Sequence, residues 1–79
     1  MTLDQLADEL RDYYDKFPQK RKSMAPIAFG YDYAFSIGRN ASLLARVVFG
    51  TNSGYGTEIR KGIKLRQLHE ERMLGTMSY

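Results

Sequence analysis

From Ile27 to Ile37 every odd position is large and apolar: Ile27, Phe29, Tyr31, Tyr33, Phe35 and Ile37. Every even position is small or polar: Ala28, Gly30, Asp32, Ala34 and Ser36. Strict alternation of this kind puts all the large side chains on one face of an extended backbone. The segment therefore reads as a half-buried β-strand over 27–37, with Gly30 as a place to bend or bulge. A strand with six large side chains on one face needs a layer packed over it, and that demand constrains the rest of the chain.

The covering layer is legible upstream. Thr2 and Gln5 have the spacing of a capping box, in which the hydroxyl and the amide each satisfy an orphan N–H. Leu3, Leu6, Ala7, Leu10, Tyr13, Tyr14 and Phe17 then recur at helical spacing, and Pro18 cannot continue a helix. The spacing predicts a helix over 2–17, followed by a basic loop between Pro18 and Pro26. Gly38-Arg39-Asn40 reads as a turn.

Residues 42–49 (SLLARVVF) fit either a helix stripe or a strand, and the Val47-Val48 pair with Phe49 favours a strand. After the glycine-rich GTNSGYG stretch, Thr57, Ile59, Ile63 and Leu65 alternate with Glu58, Arg60, Lys64 and Arg66. That pattern suggests a third strand over 57–64, with a helix starting near Thr57 as the alternative; Arg66 and Glu70 would fall among Ile59, Ile63 and Met73 on a helical wheel, which counts against one helix running from 57 to 74. Leu65, Leu68, His69 and Met73 make a shorter helix over 65–74, with Gly75 as its stop. The expected architecture is a single α+β domain over residues 1–79, in the order αβββα. A three-stranded antiparallel sheet would be packed by an N-terminal and a C-terminal helix in two layers. Its core would hold Leu6, Leu10, Tyr13, Phe29, Tyr33, Phe35 and Val47.

Composition excludes several kinds of chemistry. There is no cysteine, so disulfides, thiolate zinc sites and a cysteine nucleophile are all out. One histidine cannot build a multi-histidine metal centre. His69 has Glu70 and Glu71 beside it, but adjacent helix residues do not face one another, and Asp32 lacks a partner of matched pKa. No phosphate loop, nucleophile elbow or dinucleotide fingerprint is present. The expectation is a protein without catalytic residues, metal or cofactor. No apolar run approaches a membrane span, and the acidic, amphipathic N-terminus is the wrong chemistry for a secretory signal. A cytoplasmic protein is expected. Seventy-nine residues support only a modest core, so a homodimer that completes it is consistent with the size.

The net charge of +3 conceals a division. Residues 1–17 carry Asp4, Asp8, Glu9, Asp12 and Asp15 against Arg11 and Lys16, while ten of the twelve Lys and Arg residues lie beyond Phe17. Asp4, Asp8, Asp12 and Asp15 fall on one face of the first helix, opposite its apolar stripe. Asp is a poorer helix former than Glu, and evenly spaced carboxylates can imitate a phosphate backbone and dock in a basic groove. Arg60, Lys61, Lys64 and Arg66 form the second charged feature, a candidate phosphate-binding edge.

Two resemblances follow from these residues. A cysteine-free αβββα chain under eighty residues with an Asp4/Asp8/Asp12/Asp15 face resembles small phage-encoded inhibitors, anti-CRISPR proteins especially. That resemblance implies a non-enzymatic inhibitor, encoded by a phage or mobile element and acting in the host cytoplasm. It would block the nucleic-acid-binding surface of a larger protein or nucleoprotein complex. Alternatively, the αβββα order with Arg60-Lys61-Gly62-Ile63-Lys64 is similar to double-stranded-RNA-binding domains. By that likeness the basic half, including Arg60, Lys61, Lys64 and Arg66, would bind nucleic acid directly.

Overall fold

A computed structural model of the chain describes residues 1–51 and 53–78, with side chains through residue 73. Its first helix, α1 (Leu3–Lys16), begins at the capping box. The Gln5 backbone N–H donates to Thr2 Oγ1 at 3.2 Å, and the Thr2 N–H donates to Gln5 Oε1 at 2.8 Å. Phe17 leaves the helix in an extended conformation ahead of Pro18. The basic loop closes that end: Lys22 Nζ donates to the carbonyls of Tyr14, at 2.6 Å, and Asp15, at 3.4 Å. A cation on the last carbonyls of a helix satisfies orphan acceptors and complements the dipole.

After a 3-10 segment over Gln19–Met24, the chain forms α2 (Ala25–Asp32), the short α3 (Ala34–Ile37), α4 (Ala41–Phe49) and the long α5 (Tyr55–Ser78). Among the described residues there is no strand, so the expected α+β sheet is replaced by an all-helical fold. The segment 27–37, read as a strand, is α2 and α3 joined across Tyr33, where φ −112° and ψ 23° break the helix. The reason lies in what the small residues do. Pro26 sits in the first turn of α2, where a missing N–H costs nothing. Gly30 is small because the α5 backbone lies against it: a Cβ there would stand 2.1 Å from the Ile59 carbonyl oxygen. The even positions are thus partly contact positions, so an alternating pattern arose in a helix buried on several sides.

Gly62 answers from the other helix. A Cβ at Gly62 would lie 2.0 Å from the Ile27 carbonyl oxygen and 2.8 Å from the Tyr31 nitrogen. Backbone therefore touches backbone where α2 and α5 cross. This crossing is also why 57–64 is helical rather than the third strand: Ile59 is fully buried on the inward face of α5, with Gly62 and the partly buried Ile63 beside it. The polar pair that argued against a long helix is accommodated. Arg66 Nε donates to Glu70 Oε1 at 2.8 Å, and its guanidinium lies over the rings of Tyr31 and Phe35 at 5.2 and 5.7 Å. The expected 65–74 helix is the second half of α5, which continues through Gly75 to Ser78.

Residues 42–49, read as a strand, form α4. Its buried face is Ala41, Leu44 and Ala45, with the half-buried Val48 one turn on, an i, i+3, i+4, i+7 stripe. The β-branched pair is split by this stripe, which leaves Val47 46% exposed. The core holds Leu6, Leu10, Phe29, Ile37, Leu44 and Ile59. Two members of the expected core are outside it: Val47, and Phe35, which is 77% exposed. Two aromatic clusters fix the helices. Tyr13, Phe29 and Tyr33 meet with ring centroids 5.1–5.8 Å apart, and Tyr13 Oη donates to Asp32 Oδ2 at 2.6 Å. Burial, followed by that hydrogen bond, pushes the Tyr13 phenol well above its ordinary pKa. Tyr14, Phe49 and Tyr55 form the second cluster.

Candidate nucleic-acid interface

The Tyr14–Phe49–Tyr55 cluster pins the end of α4 and the start of α5 to α1, with Phe49 and Tyr55 rings 4.3 Å apart. The connection between them opens at Gly50. Gly50 has φ +97°, a conformation that side chains with a Cβ rarely adopt. Further along, Gly56 lets α5 lie close to α4: a Cβ at Gly56 would approach Ser42 Cα at 3.3 Å. The α4 helix and the start of α5 are therefore held together by rings on one side and a small-residue contact on the other.

The outer surface of this unit is basic. One shallow depression, between α4 and α5, is lined by Ser42, Arg46, Thr51, Ser53, Thr57 and Arg60 among others. A second is lined by Gly38, Arg39, Thr57, Arg60, Lys61, Ile63, Lys64 and Gln67. Thr57 and Arg60 belong to both, so the two are one continuous surface. Arg39, Arg46, Arg60, Lys61 and Lys64 contribute five cations to it, and none of its lining residues is acidic. Arg60 Nη1 donates to Ser42 Oγ at 2.6 Å, which aims the guanidinium across the α4–α5 seam. Lys61 is held by Glu58 at 3.0 Å, one turn back on the same helix. Arg39, Arg46 and Lys64 have no ion-pair partner among the described residues.

Of the four cations singled out in the sequence, Arg60, Lys61 and Lys64 lie together on exposed positions of α5. Arg66 does not join them. It faces α2 and α3, donates to the Tyr31 carbonyl at 3.3 Å, and its hydrogen bond to Glu70 holds it charged. Arg39 and Arg46 were missed, and the signal for Arg46 was its i+4 spacing from Ser42, visible only once 42–49 is taken as a helix. The four aspartates are exposed along α1, outside this surface. Asp8 pairs with Arg11 at 3.0 Å and Asp12 with Lys16 at 2.8 Å, so the middle of the ladder is partly neutralised within its own helix.

His69 hydrogen-bonds and stacks with Tyr31, which gives it a structural partner. Among the described residues no helix is long and apolar enough to cross a membrane. No match was found among curated proteins or solved structures. The model of a family described as an HTH-like domain matches residues 2–70, almost the whole of the described helical unit. That match replaces both resemblances drawn from the sequence. A helical family of this type contradicts the αβββα premise on which the anti-CRISPR-like inhibitor and the double-stranded-RNA-binding domain both rested. The chain belongs to the HTH-like domain family.

Proposed function

We propose that this chain is a non-enzymatic DNA-binding domain that docks its α4–turn–α5 unit on the duplex. The observation that carries the reading is the unbroken basic surface of Arg39, Arg46, Arg60, Lys61 and Lys64 across both helices. In helix-turn-helix proteins the second helix enters the major groove with its N-terminal residues at the base edges, while the first crosses the backbone. On that plan Thr57, Arg60, Lys61 and Lys64 face the groove. Arg39 and Arg46 reach the flanking phosphates. The N-terminus of α5 adds its positive dipole end toward the same phosphates.

The acidic face of α1 has a role in this reading as well. Asp4, Asp8, Asp12 and Asp15 repel phosphate and so disfavour docking through α1, which leaves the α4–α5 side as the approach. The RNA alternative is weaker, because the deep, narrow major groove of A-form RNA does not admit a helix. The proposal also carries residence in a DNA-containing compartment, which for a cell without a nucleus is the cytoplasm.

The test is duplex DNA binding followed by fluorescence anisotropy across a salt series. Neutralisation of five phosphates by the five cations of this surface gives a slope of log K against log salt of about −4.5. Replacing Arg46 and Lys64 by Ala should weaken binding to all sequences and reduce the slope by about two. A flat salt dependence, or equal binding by the double variant, would overturn the reading.

A further inference from the structure

Of the five cations on the basic surface, Arg60 is held differently from the rest. Gly56 brings the start of α5 against α4, where a Cβ would approach Ser42 Cα at 3.3 Å. One turn on from Gly56, Arg60 reaches back across that contact, and its Nη1 donates to Ser42 Oγ at 2.6 Å. Lys61 is paired instead within its own helix, with Glu58. Ser42 occupies only one corner of the Arg60 fork. A guanidinium carries five N–H donors in a fixed plane, and among the described residues the Arg60 side chain has no other hydrogen-bond or ion-pair partner. Its Nε–Nη2 edge therefore offers two parallel N–H groups from an anchored side chain. Arg60 and Thr57 also line both depressions, with Arg46 in one and Arg39, Lys61 and Lys64 in the other. The anchored fork thus stands between cations on either side.

We infer that Arg60 reads a guanine in the major groove of the duplex, and that Ser42 is the positioning residue that holds it for that contact. The inference rests on the DNA-binding function proposed above and divides the cations of that surface by role. Two parallel donors match O6 and N7 of guanine, both acceptors, whereas adenine presents an amino donor beside its N7. Lysine lacks this planar fork. Holding the fork before binding also removes part of the entropy cost of immobilising a long side chain. Arg39, Arg46 and Lys64, without ion-pair partners among the described residues, go to phosphates, which fix register but carry no sequence. The Arg60 charge lies among the phosphates of both strands, so the salt dependence of the surface is kept.

Selection from a pool of randomised duplexes, followed by anisotropy on the recovered sequence, tests this. The recovered site should hold a guanine whose replacement by adenine weakens binding roughly 5- to 150-fold. Replacement by 7-deazaguanine, in which a C–H takes the place of N7, should weaken it as well. Arg60→Ala and Ser42→Ala should each bring the guanine-over-adenine ratio toward one, Ser42→Ala with the salt slope of the wild type. Ser42→Thr keeps the hydroxyl and should keep the ratio. Lys64→Ala should weaken both duplexes alike and leave the ratio unchanged. Salt-dependent binding that recovers no guanine, or a ratio that Arg60→Ala or Ser42→Ala leaves intact, would overturn the inference and leave the DNA reading standing. Absence of salt-dependent binding to any duplex would overturn both.

Discussion

Gly62→Ala separates two opposed expectations. By helix propensity alone, alanine in the middle of α5 should stabilise the protein by about 1 kcal/mol. The α2–α5 crossing says the opposite. The new methyl carbon would sit 2.0 Å from the Ile27 carbonyl oxygen, where ordinary contact begins at 3.4 Å, so backbone must retreat by about 1.4 Å. Neither neighbour is the end of a flexible side chain. The Ile27 carbonyl and the Tyr31 nitrogen are backbone atoms inside α2. A gap of 0.5–1 Å forfeits roughly a quarter to a half of each dispersion contact, and Ile59 and Phe29, both fully buried, pack at this crossing. Overpacking against backbone belongs at the upper end of the usual range, about 3 kcal/mol. Less the propensity gain, the net loss is about 2 kcal/mol. For a domain of this size that lowers the thermal midpoint by roughly 8–16 °C. Thermal unfolding followed by far-ultraviolet circular dichroism measures it, with Gly54→Ala, which meets open space, as the neutral control. A Gly62→Ala protein as stable as the wild type would refute the close crossing.

Other expectations follow from the same contacts. Gly30→Ala meets the Ile59 carbonyl at 2.1 Å and should lower the thermal midpoint as Gly62→Ala does. Leu10→Ala empties a fully buried site and should cost roughly 2–5 kcal/mol in urea unfolding. Thr2→Ala removes one arm of the capping box and should cost about 1 kcal/mol. Asp8→Asn with Asp12→Asn should leave stability almost unchanged while modestly accelerating association with DNA, seen in stopped-flow anisotropy as a higher on-rate.

The parts of the fold that were legible are those where one residue type has one meaning. Thr2, Gln5 and Pro18 mark the ends of α1 because capping and ring closure act locally. The segment 27–37 misled because size alternation has two causes. In a strand, small residues alternate because they face away from the core. In α2, Gly30 is small because another backbone touches it, and no local pattern distinguishes the two. Gly62 carries the same lesson. As a lone residue it weakens a helix, whereas opposite α2 it is what allows α5 to exist at that distance. Arg66 illustrates the limit for the site. It follows Arg60, Lys61 and Lys64 within six residues, yet its partners are Glu70 and the Tyr31 and Phe35 rings, reached only when α5 lies across α2. Arg39 and Arg46 join Arg60 through the turn at Gly50, a tertiary fact.

Duplex DNA should meet the α4–α5 surface and leave α1 free. The most direct measurement is a titration of the isotopically labelled chain with a short duplex, followed by amide chemical shifts in NMR. Perturbations should concentrate on Arg39, Ser42, Arg46, Thr57, Arg60, Lys61 and Lys64, and leave Asp4, Asp8, Asp12 and Asp15 unmoved. Shifts centred on α1, or no shifts at saturating duplex and low salt, would contradict it.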